Sequence, residues 1–159
     1  MDDAKPHQTQ DRPALSLPSY LPYKLSVASN RVSGLIARAY QARFGLSIWE
    51  WRVIAVLGAG APMTAQAVCE ATAMDKVTVS RAIRSLDERG LVTRTRREHD
   101  RRASDVALTP DGEAIYSEVA PLAIAYEAAL LDSFSQEERD TLMALLEKLE
   151  RRLDEGGFE

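Results

Sequence analysis

Apolar residues recur at helical spacing over most of the chain. From Tyr23 to Phe44, the residues Leu25, Ala28, Val32, Leu35, Ile36 and Ala39 follow one another at three- and four-residue intervals, which predicts a long amphipathic helix. Pro22 suits its first turn, where the missing N–H is not needed, and Gly45 closes it. Ser47 caps a second helix through Leu57, with Trp51, Ile54, Ala55 and Val56 inside; Gly58 and Gly60 end it and Pro62 prevents resumption. Thr64 opens a short helix, TAQAVCEAT. After a brief turn at Ala73 and Met74, Asp75 caps another, KVTVSRAIRSLDER, closed by Gly90. Two short helices across a tight turn predict a helix-turn-helix. Beyond Gly90 the period changes to two: LVTRTR and SDVALT, separated by REHDRRA, predict a two-stranded ribbon with an exposed loop, a wing. Thr109, Pro110 and Asp111 start a helix that carries Ile115, Val119, Leu122, Ala123 and Tyr126 and runs to about Leu131. The capping box from Ser135 to Glu138 opens a last helix with Leu142, Leu145, Leu146, Leu149 and Leu153 on one face.

The expected fold is therefore mainly α with a small two-stranded β-wing. A winged helix-turn-helix lobe (46–108) is flanked by two helical regions (19–45 and 109–155), all in one continuous domain. Residues 1–18, rich in Pro, Asp, Gln and Ser, read as a flexible tail. The first and last helices carry apolar stripes for which a small winged lobe has no partner, so they are expected to join two copies into a homodimer.

Composition narrows the chemistry. At 159 residues, 45% hydrophobic and 28% charged, the chain is an ordinary globular size. The single cysteine, Cys69, excludes an internal disulfide framework and a cysteine-cluster metal site. His7 and His99 leave little for metal or triad chemistry, and neither a metal nor a cofactor is expected. No apolar run approaches a membrane span, and the polar start of the chain does not read as a secretory signal. A reduced, cytoplasmic, soluble protein is the expectation.

The net charge is −4, but its distribution is uneven. From Lys76 to Arg102 there are nine basic and four acidic residues, a local +5; the remaining eleven basic and twenty acidic residues give −9. A basic segment on an acidic body is the footprint of a polyanion site, although a charged, solvated face has the same composition. The order of elements favours the site. On the helix after Asp75, the residues Val79, Ala82, Ile83 and Leu86 share the face to be buried. Val77, Arg81, Arg84 and Glu88 lie nearly opposite, flanked by Thr78 and Ser80, with Lys76 in the first turn. Small, hydroxylated and guanidinium side chains suit a helix in a major groove, where Arg grips guanine through two hydrogen bonds. The free N–H groups at that helix start are expected to meet phosphate. Arg101 and Arg102 at the wing tip suit a narrow minor groove, Arg96 lies on the same ribbon, and Asp100 is expected to pair with Arg102 and orient it.

From Thr64 to Gly112 the chain resembles the MarR family of winged-helix regulators. The marks are SRAIRSLDERGLV, then DRRA, then VALTPDG. The family's Asp-x-Arg-[Ala/Gly] wing pattern is matched by Asp100, Arg102 and Ala103, and its Leu-Thr-x-x-Gly start by Leu108, Thr109 and Gly112. SIWEWRVIAVL looks like its second helix, with Trp51 and Arg52 as the aromatic–Arg pair. The resemblance extends from about Leu21 to Leu153. It implies a homodimer on a pseudo-palindromic operator of double-stranded DNA, usually acting as a repressor and released by a small ligand. Two-fold symmetry would set the recognition helices about one DNA turn apart.

For the effector, the resemblance implies a pocket between the DNA-binding lobe and the dimer-forming helices. The candidates are Tyr23, Ser26, Asn30, Trp49 and Arg52, an aromatic wall with one guanidinium that suits an aromatic carboxylate or its thioester. Trp51 is assigned to the core. Cys69, in the first helix of the pair, reads as a small buried hydrophobe, with a redox switch as the alternative. No nucleophile–base pairing, P-loop or dinucleotide fingerprint points to an enzyme. A winged module for protein contact alone would have no need of Arg81, Arg84 and a guanidinium-tipped wing.

Overall fold

The computed structural model describes residues 15–60, 62–97 and 104–156. Among the described residues, six α-helices and three short strands follow in the order α1 (Leu21–Phe44), α2 (Ile48–Ala59), β1 (Met63–Thr64), α3 (Ala65–Thr72), α4 (Lys76–Glu88), β2 (Val92–Arg96), β3 (Ser104–Leu108), α5 (Pro110–Leu130) and α6 (Gln136–Asp154). None of these helices is long and apolar enough to cross a membrane. The chain divides into two units, residues 1–34 and 35–159. In the first, a 3₁₀ turn at Leu17–Ser19 precedes the opening turns of α1, and none of its described residues is buried.

The second unit holds the core. Val53, Ile54 and Leu57 of α2 meet Val68 of α3, the Val79, Ala82, Ile83 and Leu86 face of α4, Val106 of β3 and Val119 of α5. These are the positions that the three-four spacing turns inward, so the apolar pattern and the packing agree. Local chemistry sets the boundaries. Ser47 and Glu50 form a reciprocal capping box at α2, Thr64 caps α3, Thr109 caps α5, and Ser135 with Glu138 boxes α6. The α4 terminus turns at Gly90 (φ +69°), with the Leu91 N–H donating back to the Leu86 carbonyl at 2.9 Å. In the turn of the helix pair it is Ala73, not a glycine, that adopts φ +51°.

The sheet differs from the two-stranded ribbon in one respect. β2 and β3 pair antiparallel from Val92–Leu108 to Arg96–Ser104 as expected, but β1 adds a third strand, pairing Met63 with Val106 and Thr64 with Asp105. Two residues carry no detectable period, so this strand had no sequence signal. It anchors the start of α3 to the wing. At the base of the wing, the Thr109 hydroxyl donates to the Gly90 carbonyl at 2.7 Å, and its N–H donates to the Leu91 carbonyl. Gly112 lies so close to the Leu91 carbonyl oxygen that no Cβ fits between them. The Leu-Thr-x-x-Gly pattern is thus the joint between wing and α5, and its glycine answers a close backbone approach.

Candidate nucleic-acid interface

α4 is built to present one face. Its apolar side is fully used in the core, which fixes the rotation of the helix and turns Lys76, Val77, Ser80, Arg81 and Arg84 outward, all exposed; Thr78 is half-buried. Val77 leaves 59% of its surface in solvent on this face. Among the described residues none forms an ion pair with Lys76, Arg81, Arg84 or Arg96. The predicted row of small, hydroxylated and cationic side chains therefore stands on one surface.

One expectation about this helix is corrected. Two N–H groups of its first turn are not free for phosphate: the Asp75 carboxylate accepts from Val77 and Thr78, both at 2.9 Å. The Thr78 hydroxyl also donates to it, and this bond, with those from the backbone, holds the Asp75 carboxyl below its usual range. A capped terminus carrying a fixed negative charge favours helix formation but not an anion, so affinity for phosphate must come from the side chains.

The wing contributes in two layers. Arg94 and Arg96 stand on one face of β2, where Arg94 reaches Asp87 of α4 at 3.4 Å across the gap between wing and helix. Just beyond, Arg97 grips Asp105 with two nitrogens at 2.6–3.0 Å and holds that carboxyl below its usual range. This pair, not foreseen from the sequence, ties the two strands together where they leave the sheet. It could have been inferred from the register, which places Arg96 opposite Ser104 and so brings their neighbours together. Asp100, Arg101, Arg102 and Ala103, with His99, lie outside the described residues. A groove of about 290 Å³ runs between Thr64 and Gln66, Ser80 of α4, and Arg94 and Ser104 of the wing, so α4 and the wing share one surface.

The effector candidates fall in two places. Tyr23, Ser26 and Asn30 belong to the first unit and are exposed. Trp49 and Arg52 belong to the second, with the Arg52 guanidinium 5.4 Å over the Trp49 ring. Trp49 itself lines a shallow groove of about 240 Å³ with Thr78 and Arg81 of α4. Trp51 stacks between Tyr40 at 5.6 Å and Tyr116 at 6.4 Å, packed against the core as assigned. Burial pushes the Tyr40 hydroxyl up, and the Arg52 charge offsets part of that. Cys69 is half-buried and packs against the core from α3.

Sequence reasoning missed Glu50. It is buried, its Oε1 accepts the Ser85 hydroxyl of α4 at 2.6 Å, and its Oε2 accepts the Ser47 backbone N–H at 2.6 Å. Burial pushes this carboxyl up, but the bonds from Ser85 and Ser47 and the nearby Arg89 charge outweigh it and hold it below its ordinary value. Its place in a capping box was legible; its second partner, 35 residues away, was not.

The chain is similar to known proteins in sequence and in fold. A family model described as MarR family matches residues 44–103, which span α2 to the wing. The regulator PecS of Dickeya dadantii is 31% identical over 130 residues, covering 78% of this chain and 78% of its own. The chain belongs to the MarR family. Among solved structures, a MarR/EmrR family regulator from Acinetobacter sp. ADP1 is similar with TM-score 0.82 and 27% identity, covering 89% of this chain and 100% of that one. A structure concerned with regulation of DNA binding of Bordetella bronchiseptica BpsR by 6-hydroxynicotinic acid is similar with TM-score 0.76 and 26% identity, covering 86% of this chain and 97% of that one. This MarR-family chain is accordingly a DNA-binding transcriptional regulator and not an enzyme, and its winged-helix fold is the family's.

Proposed function

We propose that this MarR-family regulator is a cytoplasmic repressor that holds a pseudo-palindromic operator as a homodimer and releases it on binding a small organic acid. The observation that carries the reading is the outward face of α4. Lys76, Val77, Ser80, Arg81 and Arg84 are exposed together, with Thr78 at their edge, on a helix whose opposite face is locked in the core. In this reading Arg81 and Arg84 contact bases, Lys76, Thr78 and Ser80 contact phosphate or base edges, and Val77 meets apolar base surface. Arg96 follows the backbone, while Arg101 and Arg102 of each wing, steadied by Asp100, enter the flanking minor groove.

Dimerisation is supported by α6, which buries none of its side chains although Leu142, Met143, Leu145, Leu146 and Leu153 line it. The helical regions 19–45 and 109–155 form the dimer in this scheme, and 46–108 the DNA-binding lobe. An organic-acid effector is supported by the Trp49–Arg52 pair and by BpsR, whose DNA binding is regulated by 6-hydroxynicotinic acid. Tyr23, Ser26 and Asn30 of the first unit remain effector candidates from the sequence alone.

The test is duplex binding as a function of salt, with a sequence selected from a random pool. A steep loss of affinity with salt and a preferred inverted-repeat sequence are expected. Binding that is flat in salt, or the same for every sequence, overturns the reading. A thermal-shift screen of aromatic acids and their thioesters, followed by DNA release with any hit, tests the effector.

A further inference from the structure

Glu50 is the one charged residue buried among the described residues, at 7% exposure. A leucine would fill such a site without the cost of desolvating a carboxylate. The bonds around it show what the carboxylate does instead. Oε2 is held by the Ser47 N–H at the start of α2, and Oε1 by the Ser85 hydroxyl on the flank of α4. Arg89, just past the end of α4, brings Nη1 to 3.6 Å from Oε1. The same guanidinium donates to the Phe44 carbonyl at 2.6 Å, one of the orphan acceptors at the end of α1, and reaches the Gly45 carbonyl at 3.5 Å. One polar cluster thus joins the last turn of α1, the first turn of α2 and the C-terminal half of α4. Every member is directional. Apolar packing alone resists separation of the helices far more than it resists a small rotation of one of them, whereas these bonds break on rotation.

We propose that Glu50 is a positioning residue for DNA recognition: through Ser85 and Arg89 it fixes the rotation of α4 against the α1–α2 junction, and with it the direction of Arg81 and Arg84. Ser85 sits four residues after Arg81 and next to Arg84, so a turn of the helix at Ser85 re-aims both. Buried and satisfied within the protein, Glu50 itself meets no nucleic acid. The inference rests on α4 reading DNA.

The experiment uses the full chain. A preferred duplex is selected from a random-sequence pool with the wild type. Wild type, Glu50→Gln, Ser85→Ala, Ser85→Thr and the double variant Glu50→Gln/Ser85→Ala are then titrated on that duplex and on a random-sequence duplex of equal length, with melting followed alongside. Glu50→Gln and Ser85→Ala are each expected to lower the selected-to-random affinity ratio roughly three- to thirtyfold, within the range for coupling residues that touch no ligand. Binding to the random duplex should stay near wild type, because the phosphate-facing cations are intact. The double variant should be little worse than the poorer single one, since both break one connection. Ser85→Thr, which keeps the hydroxyl, should restore the ratio. Variants that discriminate as the wild type does overturn the proposal, and so does an equal loss on both duplexes that merely tracks a lowered melting temperature. A wild type that selects no duplex is a different failure: it removes the recognition role of α4 itself, and this proposal with it.

Discussion

α4 and α6 are written in the same style and treated differently by the fold. Each opens on a side-chain cap, Asp75 for one and Ser135 for the other, and each repeats apolar residues at three- and four-residue intervals. α4 buries Val79, Ala82, Ile83 and Leu86 against α2, α3 and the wing, and what it shows to solvent is mostly hydroxyl and cation. No residue of α6 is buried, though Arg139 and Leu149 are half-buried; Leu145 keeps 59% of its surface in water. An exposed leucine forgoes about 1.5–3 kcal/mol that burial would return. The periodicity is equally clear in both helices, so a stripe states that a face is meant to be covered and leaves open what covers it. For α4 the cover is the same chain; for α6 we have proposed a second copy.

The largest break in that comparison should come from Leu86→Ala in α4. It is expected to cost about 2–5 kcal/mol of folding stability, the range for emptying a well-packed leucine site, at every protein concentration. Denaturant unfolding at two concentrations checks this. Leu145→Arg with Leu146→Arg in α6 should instead leave the helical content in place and dissociate the dimer, weakening association by roughly 3 kcal/mol or more. Sedimentation equilibrium decides it, and a wild type already monomeric would refute the assignment of α6. On the outer face of α4, Arg81→Ala or Arg84→Ala should cost about 1–3 kcal/mol of sequence discrimination with no change in melting; the selected duplex against its point variants is the measurement.

The smallest effect is a pH dependence beneath α4. Because the fold lowers the Glu50 carboxyl below its ordinary 4.5, its contribution is present above that value and is lost as the pH falls through the lower, folded one. Unfolding curves between neutral pH and about pH 3 should therefore fall less steeply on the acid side for Glu50→Gln than for the wild type. Parallel acid limbs would show that Glu50 carries no such linkage.

Much of the fold was legible because the deciding interactions are local. The caps at Ser47, Thr64, Asp75, Thr109 and Ser135 lie within three residues of the groups they satisfy, and both wing strands were readable from their alternation. The α4 surface was legible for the same reason, since one helix turn fixes which residues share a face. The role of Asp75 was half legible: its type announced a cap, but that the cap takes up two of the N–H groups expected to bind phosphate needed the geometry. β1 escaped because two residues have no period, and the Glu50–Ser85 bond because its halves are 35 residues apart.

By itself, then, the order of residues determined the helices, the wing, the caps and the outward chemistry of α4, all of which depend on contacts within a few residues or on a repeat along one element. The fold alone decided the third strand, the packing of Gly112 against Leu91, the Arg97–Asp105 grip and the burial of a carboxylate under α4. Each of these joins segments whose separation along the chain carries no pattern. Only when the apolar faces close on one another do such groups come within reach of a hydrogen bond.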